Sequence, residues 1–375
     1  MRIAVNARFL LPGKMEGFGW YSYETLRRIT TAHPEHEFIF LFDRAYDKKF
    51  IFSDNITPVV IGPPARHPFL FYWWFEWSVA SALKKYKADV FVSPDGYLSL
   101  RSHVPSLAVI HDLNFEHYPK DLSFLVRKYY RHYFPRFARK AKRIVTVSEF
   151  SKKDIIEQYH IAPDKIDVVY NGINEALTAI PETEIIRYRN TITGGAPYFI
   201  FIGALHPRKN LARLFKAFDA FCSSEKGEEH LVIVGEKYFW NKEISEAFSQ
   251  MKHQDKVHFT GHLPVKDLNC ALQAARSMVF VSVFEGFGLP LAESMKCGVP
   301  VIAANTSCLP EIGGDAALYC DPFSVEAITE AMIRMSTDSE LRRRLIDRGL
   351  EQSKKYSWDA SAKGLWNSIE QVLHA

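Results

Sequence analysis

Short apolar segments alternate with helical patterns over almost the whole of this chain. A run such as SMVFVSV at 277–283 is typical of a strand that is buried on both faces of a parallel sheet. The other runs are RIAVN (2–6), EFIFLFD (37–43), DVFVS (89–93), LAVI (107–110), RIVTVS (143–148), KIDVVY (165–170), YFIFIG (198–203), LVIVG (231–235), VHFTG (257–261) and VPVIAA (299–304). The pattern predicts an α/β protein built from doubly wound parallel sheets.

The runs form two groups, which predicts two domains. The chain has 375 residues, more than the roughly 250 to 300 that one hydrophobic core serves. We place the first domain at 1–173 and the second at 198–356. The intervening segment, 174–197, lacks strand periodicity and ends in glycines and a proline, so we predict a linker there. The tail at 357–375 has a helical pattern and is a candidate to pack back on the first domain.

Composition restricts where the protein acts. Apolar residues make up 47% of the chain and charged residues 24%, and no segment approaches the roughly 18 uninterrupted apolar residues of a membrane-spanning helix. The amino terminus opens on a strand pattern instead of a secretory leader, so we expect a cytoplasmic protein. The five cysteines lack C-x-x-C spacing and indicate neither a disulfide framework nor a zinc site.

Positive charge is concentrated in the first half of the chain, where residues 1–180 contain 25 Lys and Arg against 19 Asp and Glu. Much of the excess lies at 123–143, where basic and aromatic residues interleave. Two interpretations remain open: peripheral contact with an anionic membrane, for which 68–86 is a second candidate, or a core-facing aromatic stripe with a solvated basic face. No nucleic-acid partner is expected, because the aromatics recur at helical spacing without a nucleic-acid-binding module.

The segment EGFGLPLAE at 285–293 carries two carboxylates across a loop that enters a helix. Glu285 and Glu293 suit the hydroxyl groups of a sugar nucleotide; the alternative is a turn residue and a solvated helix residue. A helix amino terminus attracts phosphate through its free donors and its dipole. The donors here are the backbone N–H groups of Phe287, Gly288 and Leu289.

Two cations follow the strand YFIFIG, namely Arg208 and Lys209. Ligands of open α/β sheets bind at the carboxyl ends of the strands, where these residues fall. A guanidinium forks onto two phosphate oxygens and an ammonium acts as a compact charge, so the pair would neutralise a diphosphate. The alternative is a solvated basic loop.

In the first domain, His111 ends the strand LAVI at the same kind of edge and could touch a reacting sugar, although a structural role is the alternative. Gly17 and Gly19 form a glycine loop before a helical pattern at 20–31, which we predict to approach phosphate. As an NAD fingerprint this loop is poor, because Ser22 occupies the third glycine position.

No metal site and no cofactor are expected. The chain contains no Asp-x-Asp, the commonest acidic arrangement that holds a divalent metal against a nucleotide diphosphate, so cationic side chains would serve instead. It also lacks a phosphate-loop lysine motif, a His-Glu-x-x-His pair and a Gly-x-Ser-x-Gly elbow, which argues against the corresponding ATPases, proteases and hydrolases.

Taken together, these segments resemble glycosyltransferase family 4, whose members are retaining enzymes with the GT-B architecture, and bacterial mannosyltransferases of polysaccharide assembly in particular. The resemblance runs through the glycine loop at 17–19, HDLNFEHYP (111–119), VSEFSKKDI (147–155), NGI (171–173), FIGALHPRKNL (201–211), EGFGLPLAE (285–293), GVPVIAANTSCLPEIGGDAALYCDP (298–322) and LRRRLIDRGLEQSKKYSW near the end. It implies two facing Rossmann-like domains with a cleft between them.

The resemblance also implies roles for the candidate residues. Arg208 and Lys209 would contact the donor diphosphate, Glu285 the hydroxyls of the transferred sugar, and Glu293 the ribose. Amides of Phe287 to Leu289 would complete the phosphate site, His111 would lie beside the sugar, and Gly17 and Gly19 would close the first domain onto the phosphates. Where the family commonly has threonine or serine ahead of the cations, this chain has Leu205 and His206.

The sequence therefore predicts a metal-independent retaining transferase. Its donor would be a nucleotide sugar, with GDP-mannose favoured and a UDP-sugar such as UDP-glucose as the alternative, and its acceptor a hydroxyl of a lipid-linked or polysaccharide saccharide. Location would be cytoplasmic, with peripheral contact at the inner face of the membrane as an option. Two other classes stay open: an NAD-linked oxidoreductase, suggested by Asp43 after EFIFLFD, and a noncatalytic sugar-nucleotide binding protein.

Overall fold

The computed structural model describes every residue except Lys14, Glu16 and Ala375. The chain divides into two compact units. The first comprises Met1–Gly172 together with Ser357–Ala375, and the second comprises Ile173–Tyr356. Each unit is built on its own parallel sheet.

The first unit contains a seven-stranded sheet in the order β3-β2-β1-β4-β5-β6-β7. Its strands are β1 (Arg2–Asn6), β2 (Glu37–Phe42), β3 (Ile56–Val60), β4 (Val90–Ser93), β5 (Ser106–Val109), β6 (Arg143–Thr146) and β7 (Ile166–Val168). Its helices are α1 (Gly17–Ala32), α2 (Pro68–Trp73), α3 (Ala80–Lys85), α4 (Asn114–His117), α5 (Phe124–Lys140) and α6 (Glu149–Tyr159), with a π-helical turn at Trp74–Val79 between α2 and α3. The sequence pattern did not predict β3, whose Pro58 is tolerated because β3 is an edge strand.

The second unit contains a six-stranded sheet in the order β10-β9-β8-β11-β12-β13. Its strands are β8 (Tyr198–Ile202), β9 (His230–Val234), β10 (Val257–Gly261), β11 (Ser277–Phe280), β12 (Val301–Ala304) and β13 (Ala317–Cys320). Its helices are α7 (Glu182–Thr193), α8 (Leu211–Cys222), α9 (Lys242–Ser249), α10 (Val265–Gln273), α11 (Leu289–Lys296), α12 (Leu309–Gly313), α13 (Val325–Thr337) and α14 (Ser339–Ser353). The strand order reverses between β8 and β11, which makes their carboxyl ends the topological switch point where ligands of such sheets bind.

The segment predicted as a linker, 174–197, belongs to the second unit and contains α7. The helix packs against α10, and the Arg189 guanidinium donates to the Ala274 carbonyl at 2.9 and 3.1 Å. Gly194, with φ of 67°, ends the helix in the left-handed conformation. The absence of strand periodicity was therefore compatible with a helix, and the glycine pair that suggested a linker is a helix end.

The chain returns to the first unit in α15 (Trp358–Leu373), which packs against α1. Arg28 of α1 pairs with Asp359 at 2.6 Å, and the His33 ring stacks on Trp366 with centroids 3.6 Å apart. Trp358 and Trp366 join the buried cluster on one face of the first sheet, and α5 contributes Phe134 and Phe137 to the cluster on the other face. Across the described residues, no helix combines the length and apolar character that a membrane span requires.

Candidate active site

The switch point of the second sheet places the two cations opposite the glutamate loop. After β8, a short 3₁₀ turn at Pro207–Lys209 ends at Asn210, whose φ is 64°. The Asn210 amide is buried and donates to the carbonyls of Val281 at 3.0 Å and Pro322 at 2.6 Å. Since these carbonyls follow β11 and β13, the asparagine fixes the cation loop against the neighbouring strand ends.

Arg208 and Lys209 both pair with Glu285. The guanidinium Nη1 lies 2.9 Å from Glu285 Oε2, and the Lys209 ammonium lies 2.6 Å from Oε1. Arg208 also donates to the Phe284 carbonyl at 3.0 Å. Glu285 is 7% exposed and Lys209 is 9% exposed, so the three groups form a largely buried cluster with a net charge of one positive unit.

Electrostatics keep Glu285 ionised. Burial opposes ionisation of its carboxyl, but the charges of Lys209 and Arg208 outweigh burial and lower its pKa to about 2. The sequence predicted that the cations face a diphosphate and that Glu285 faces a sugar. The structure brings these three residues together, and the Glu285 carboxylate pairs with both cations.

The loop after Glu285 enters α11 through Gly288. This glycine has φ of 87°, a left-handed conformation that favours glycine, and a Cβ there would displace the end of the Leu309 side chain, whose Cδ2 would lie 2.7 Å away. Phe287 is buried and meets the Tyr356 ring edge-on at 5.4 Å, and Leu289 is the first residue of the helix. The N–H of Glu285 donates to Ser307 Oγ at 3.2 Å, a contact that the sequence pattern did not predict.

Glu293 has an environment unlike that of Glu285. It lies partly buried on α11, and within the described part of the chain no side chain is hydrogen-bonded to its carboxylate. Burial raises its pKa to about 7, against the opposing charge of Lys296. Its carboxyl therefore changes protonation near neutral pH. It can donate a hydrogen bond to a hydroxyl when protonated and accept one from a hydroxyl when ionised.

In the first unit, His111 follows β5 and is held on several sides. Its Nε2 lies 2.9 Å from the Pro94 carbonyl, and the rings of Phe18 and Tyr21 meet it edge-on at 4.7 and 4.8 Å. Burial lowers the pKa of the imidazole, although the Pro94 carbonyl and the charge of Asp112 act in the opposite direction. Because a carbonyl only accepts, Nε2 carries the hydrogen and Nδ1 is the acceptor of the neutral ring.

The glycine loop predicted at 17–19 is instead the first turn of α1, which begins at Gly17. A Cβ on Gly19 would approach the Phe9 carbonyl oxygen to 2.9 Å, so this position needs glycine for close packing. A Cβ on Gly17 would meet no atom within 4 Å among the described residues. The helical pattern therefore starts three residues earlier than the side-chain periodicity indicated, because glycines contribute no side chain to that periodicity.

The sequence pattern did not predict a polar cluster that lies at the switch point of the first sheet. Arg8, after β1, lies 2.6 Å from Asp95, after β4, and Asn6 donates to the same carboxylate at 2.8 Å. The guanidinium also lies 4.2 Å from the centre of the Tyr97 ring. Burial disfavours the charge of Arg8, but Asp95 contributes to a raised pKa of its guanidinium. The signal was available, since polar residues directly after two buried strands mark this edge.

No group of three metal-ligating side chains is brought together among residues 1–13, 15 and 17–374. Among the described side chains at the site of the second unit, Arg208, Lys209 and Glu285 carry charge, and the amino terminus of α11 lies beside them.

Two families describe most of this sequence. The family "Glycosyl transferases group 1" matches residues 182–352, and "Glycosyltransferase Family 4" matches residues 17–177. An O-antigen chain mannosyltransferase B from Escherichia coli is 30% identical over 293 residues, which cover 75% of this chain and 74% of that protein. With two parallel-sheet units and a cation cluster at a switch point, the protein is a glycosyltransferase of the GT-B fold. It belongs to glycosyltransferase family 4.

Solved structures agree on the fold at low sequence identity. Sucrose-phosphate synthase from Thermosynechococcus elongatus has a TM-score of 0.77 and 17% identity, with 100% of this chain and 99% of that chain covered. The Anabaena protein HepE in complex with UDP-glucose has a TM-score of 0.75 and 16% identity, with 99% and 100% covered.

Proposed function

We propose that this protein transfers mannose from GDP-mannose to a hydroxyl of a lipid-linked or polysaccharide acceptor. The observation that carries the proposal is the pairing of Arg208 and Lys209 with Glu285 at the switch point of the second sheet. The name of the Escherichia coli relative supports mannose as the sugar. A UDP-sugar such as UDP-glucose is the alternative donor, favoured by the ligand of HepE, a protein of the same fold.

Donor binding follows from the charges. The two cations neutralise the leaving diphosphate, and the backbone N–H groups of Phe287 to Leu289 donate to its oxygens at the start of α11. Glu285 holds both cations in position and accepts a hydrogen bond from a hydroxyl of the sugar. Glu293 binds the ribose hydroxyls. We propose that no metal ion takes part, because cationic side chains supply the required positive charge.

Transfer requires stabilisation of a leaving group that gains negative charge. Preorganised donors in a site with little water achieve this without reorganising during the reaction. We propose retention of configuration by attack of the acceptor hydroxyl on the face that the diphosphate leaves, with the diphosphate taking the proton. His111 Nδ1 accepts a hydrogen bond from a sugar hydroxyl, and Gly17 and Gly19 bring the start of α1 close to the phosphates.

The acceptor sets where the enzyme works. Because a lipid-linked acceptor lies at a bilayer, we propose that the protein acts in the cytoplasm as a peripheral protein at the inner face of the membrane. This part of the proposal is independent of the choice of donor sugar.

Thermal unfolding with a panel of ligands tests the donor. A ligand at about 100 times its dissociation constant stabilises a protein by roughly 2.7 kcal/mol. We expect GDP-mannose, and not UDP-glucose or NAD, to raise the melting temperature, and we expect the anomeric carbon of the product to keep the donor configuration when examined by NMR. Stabilisation by NAD alone would contradict the proposal, as would donor binding without any transfer to a saccharide acceptor.

A further inference from the structure

We propose that Phe69, Trp73 and Trp77 of the first unit form a surface that binds an anionic phospholipid bilayer. We call these three residues the aromatic stripe. Their exposed fractions are 72%, 54% and 43%. Large apolar side chains that are exposed close together mark sites of interaction.

The three residues of the aromatic stripe share one side of the helix because they are evenly spaced, and buried neighbours fix the orientation of that helix. Its members recur every four residues along α2 and the π-helical turn, so they lie on one side, and the rings of Trp73 and Trp77 are 5.9 Å apart. Trp74 and Phe75 point inward and are fully buried, and the Trp74 indole donates to the Ile61 carbonyl at 2.8 Å. The inward contacts thus hold the stripe outward, and π-helical turns are frequent at functional sites.

The surroundings of the stripe are positively charged. Helix α5 lies beside α2, where the rings of Tyr72 and Tyr133 are 6.0 Å apart. The segments 64–87 and 122–143 contain twelve Lys and Arg but a single acidic residue, Glu76. This glutamate is buried, and its carboxylate accepts the backbone N–H groups of Leu100 and Arg101 at 2.8 and 3.0 Å. Two of these cations pair with acids outside the segments, Arg131 with Glu116 and Arg143 with Asp167, and the exposed Asp121 adjoins the second segment, so the two segments retain an excess of positive charge.

One cation is attached to the stripe itself. The Arg101 guanidinium lies 3.7 Å from the centre of the Trp77 ring and remains exposed. Tryptophan side chains favour the headgroup level of a bilayer, and Lys and Arg next to them attract anionic lipids. The arrangement therefore matches the interface of an anionic membrane in both apolar character and charge.

The charge also decides between occupants. A second copy of this chain seated on the stripe would bring two positive surfaces together, which costs free energy, whereas an anionic bilayer offers the opposite charge. This inference rests on the proposed function, because a transferase with a lipid-linked acceptor has to work at a membrane. The lipid class that it names is anionic phospholipid.

Co-sedimentation of the full chain with vesicles tests the surface. We expect binding to phosphatidylglycerol/phosphatidylethanolamine vesicles at low salt, weaker binding at high salt, and weak binding to phosphatidylcholine alone. The double variant Phe69→Ser/Trp73→Ser should lower the partition coefficient at least about tenfold. The variant Lys128→Gln/Arg136→Gln should lower it as well and reduce its dependence on salt.

A matched control uses two exposed apolar residues of the second unit. The variant Ile186→Ser/Phe323→Ser, at positions that are 49% and 54% exposed, should bind vesicles as the wild type does. Circular dichroism should show that each variant is folded. Failure of the wild type to bind anionic vesicles, or undiminished binding by the stripe variant, would overturn the inference. So would a wild-type dimer that the stripe variant dissociates without any lipid effect.

Donor-induced thermal stabilisation, measured on the same variants, separates this inference from the proposed function. The stripe variant should keep the shift with GDP-mannose while losing vesicle binding. If vesicle binding depends on the stripe but no nucleotide sugar stabilises the protein, the proposed function fails and the surface stands.

Discussion

The Lys209 ammonium lies 2.6 Å from Glu285, and both side chains are almost fully buried. The pair joins the loop after β8 to the loop after β11 and so connects two segments that are 76 positions apart in sequence. A buried charge pair depends on both partners, because removing one leaves the other without compensation.

Replacing Lys209 with alanine should lower turnover at least about tenfold. Loss of one preorganised donor typically costs about 2.7 to 4 kcal/mol of transition-state stabilisation. Steady-state kinetics with the donor identified by thermal unfolding measure the effect, and circular dichroism verifies the fold. Lys216→Ala, an exposed position on α8, is the control and should retain wild-type turnover. Near-normal turnover of Lys209→Ala would remove this lysine from the site.

The Glu285 pair should make stability sensitive to acid. Since the pKa of Glu285 is about 2 in the folded protein and near 4.5 when unperturbed, the folded state favours the ionised form. This stabilisation is present above pH 4.5 and is lost as pH falls towards 2, by about 3 kcal/mol. Denaturant titrations between pH 7 and pH 2.5 should show a smaller loss for Glu285→Gln than for the wild type. An equal loss would mean that the carboxylate gains nothing from the cations.

The contribution of Glu293 to the free energy of unfolding should have the opposite pH dependence. Its pKa is raised to about 7, so the folded protein retains a proton that the unfolded chain releases above pH 4.5. Stability from this group is therefore present below pH 4.5 and is lost as pH rises to 7, by on the order of 1 to 3 kcal/mol. Glu293→Gln should be more stable relative to wild type at pH 8 than at pH 4. Glu330→Gln, an exposed position on α13, should show no such difference.

Two glycines should respond oppositely to alanine. Gly288→Ala places a Cβ at a left-handed position and 2.7 Å from Leu309, so we expect a loss of more than about 1 kcal/mol in unfolding free energy. Gly17→Ala lies in a helix, with no atom of the described residues within 4 Å of the new Cβ, and should gain about 0.4 to 1 kcal/mol. Urea denaturation measures both. If Gly17→Ala is stable but inactive, the missing Cβ at this position serves ligand approach.

Most strands could be predicted because a doubly buried strand is apolar along its whole length. The edge strand β3 was missed because its polar flanks and Pro58 break that pattern, and α7 was missed because a half-exposed helix on the surface of a unit has a weak apolar face. The sequence also predicted the correct edge of each sheet for His111 and for the two cations. It did so because parallel strands bring their carboxyl ends to one side.

Side-chain pairing within the site could not be predicted. Whether Glu285 meets a ligand or two cations depends on loop geometry, which is set by Asn210 and Ser307 through contacts far apart in sequence. For Asn6, Arg8 and Asp95, the polar residues after β1 and β4 indicated the correct edge of the sheet, but their pairing across almost ninety residues depends on tertiary contacts. Spacing in sequence indicates which edge a residue reaches, and tertiary contacts decide which partner it meets.

The return of α15 to the first unit orders the folding of the chain during synthesis. The ribosome makes every residue of the second unit before it makes Trp358–Leu373, so the face of the first sheet that this helix covers stays unprotected for that whole interval. The second unit, whose residues are continuous in sequence, has no such delay. The first unit is therefore the first to be synthesised and the last to complete its core. We expect chaperones to bind residues 1–172 during that interval.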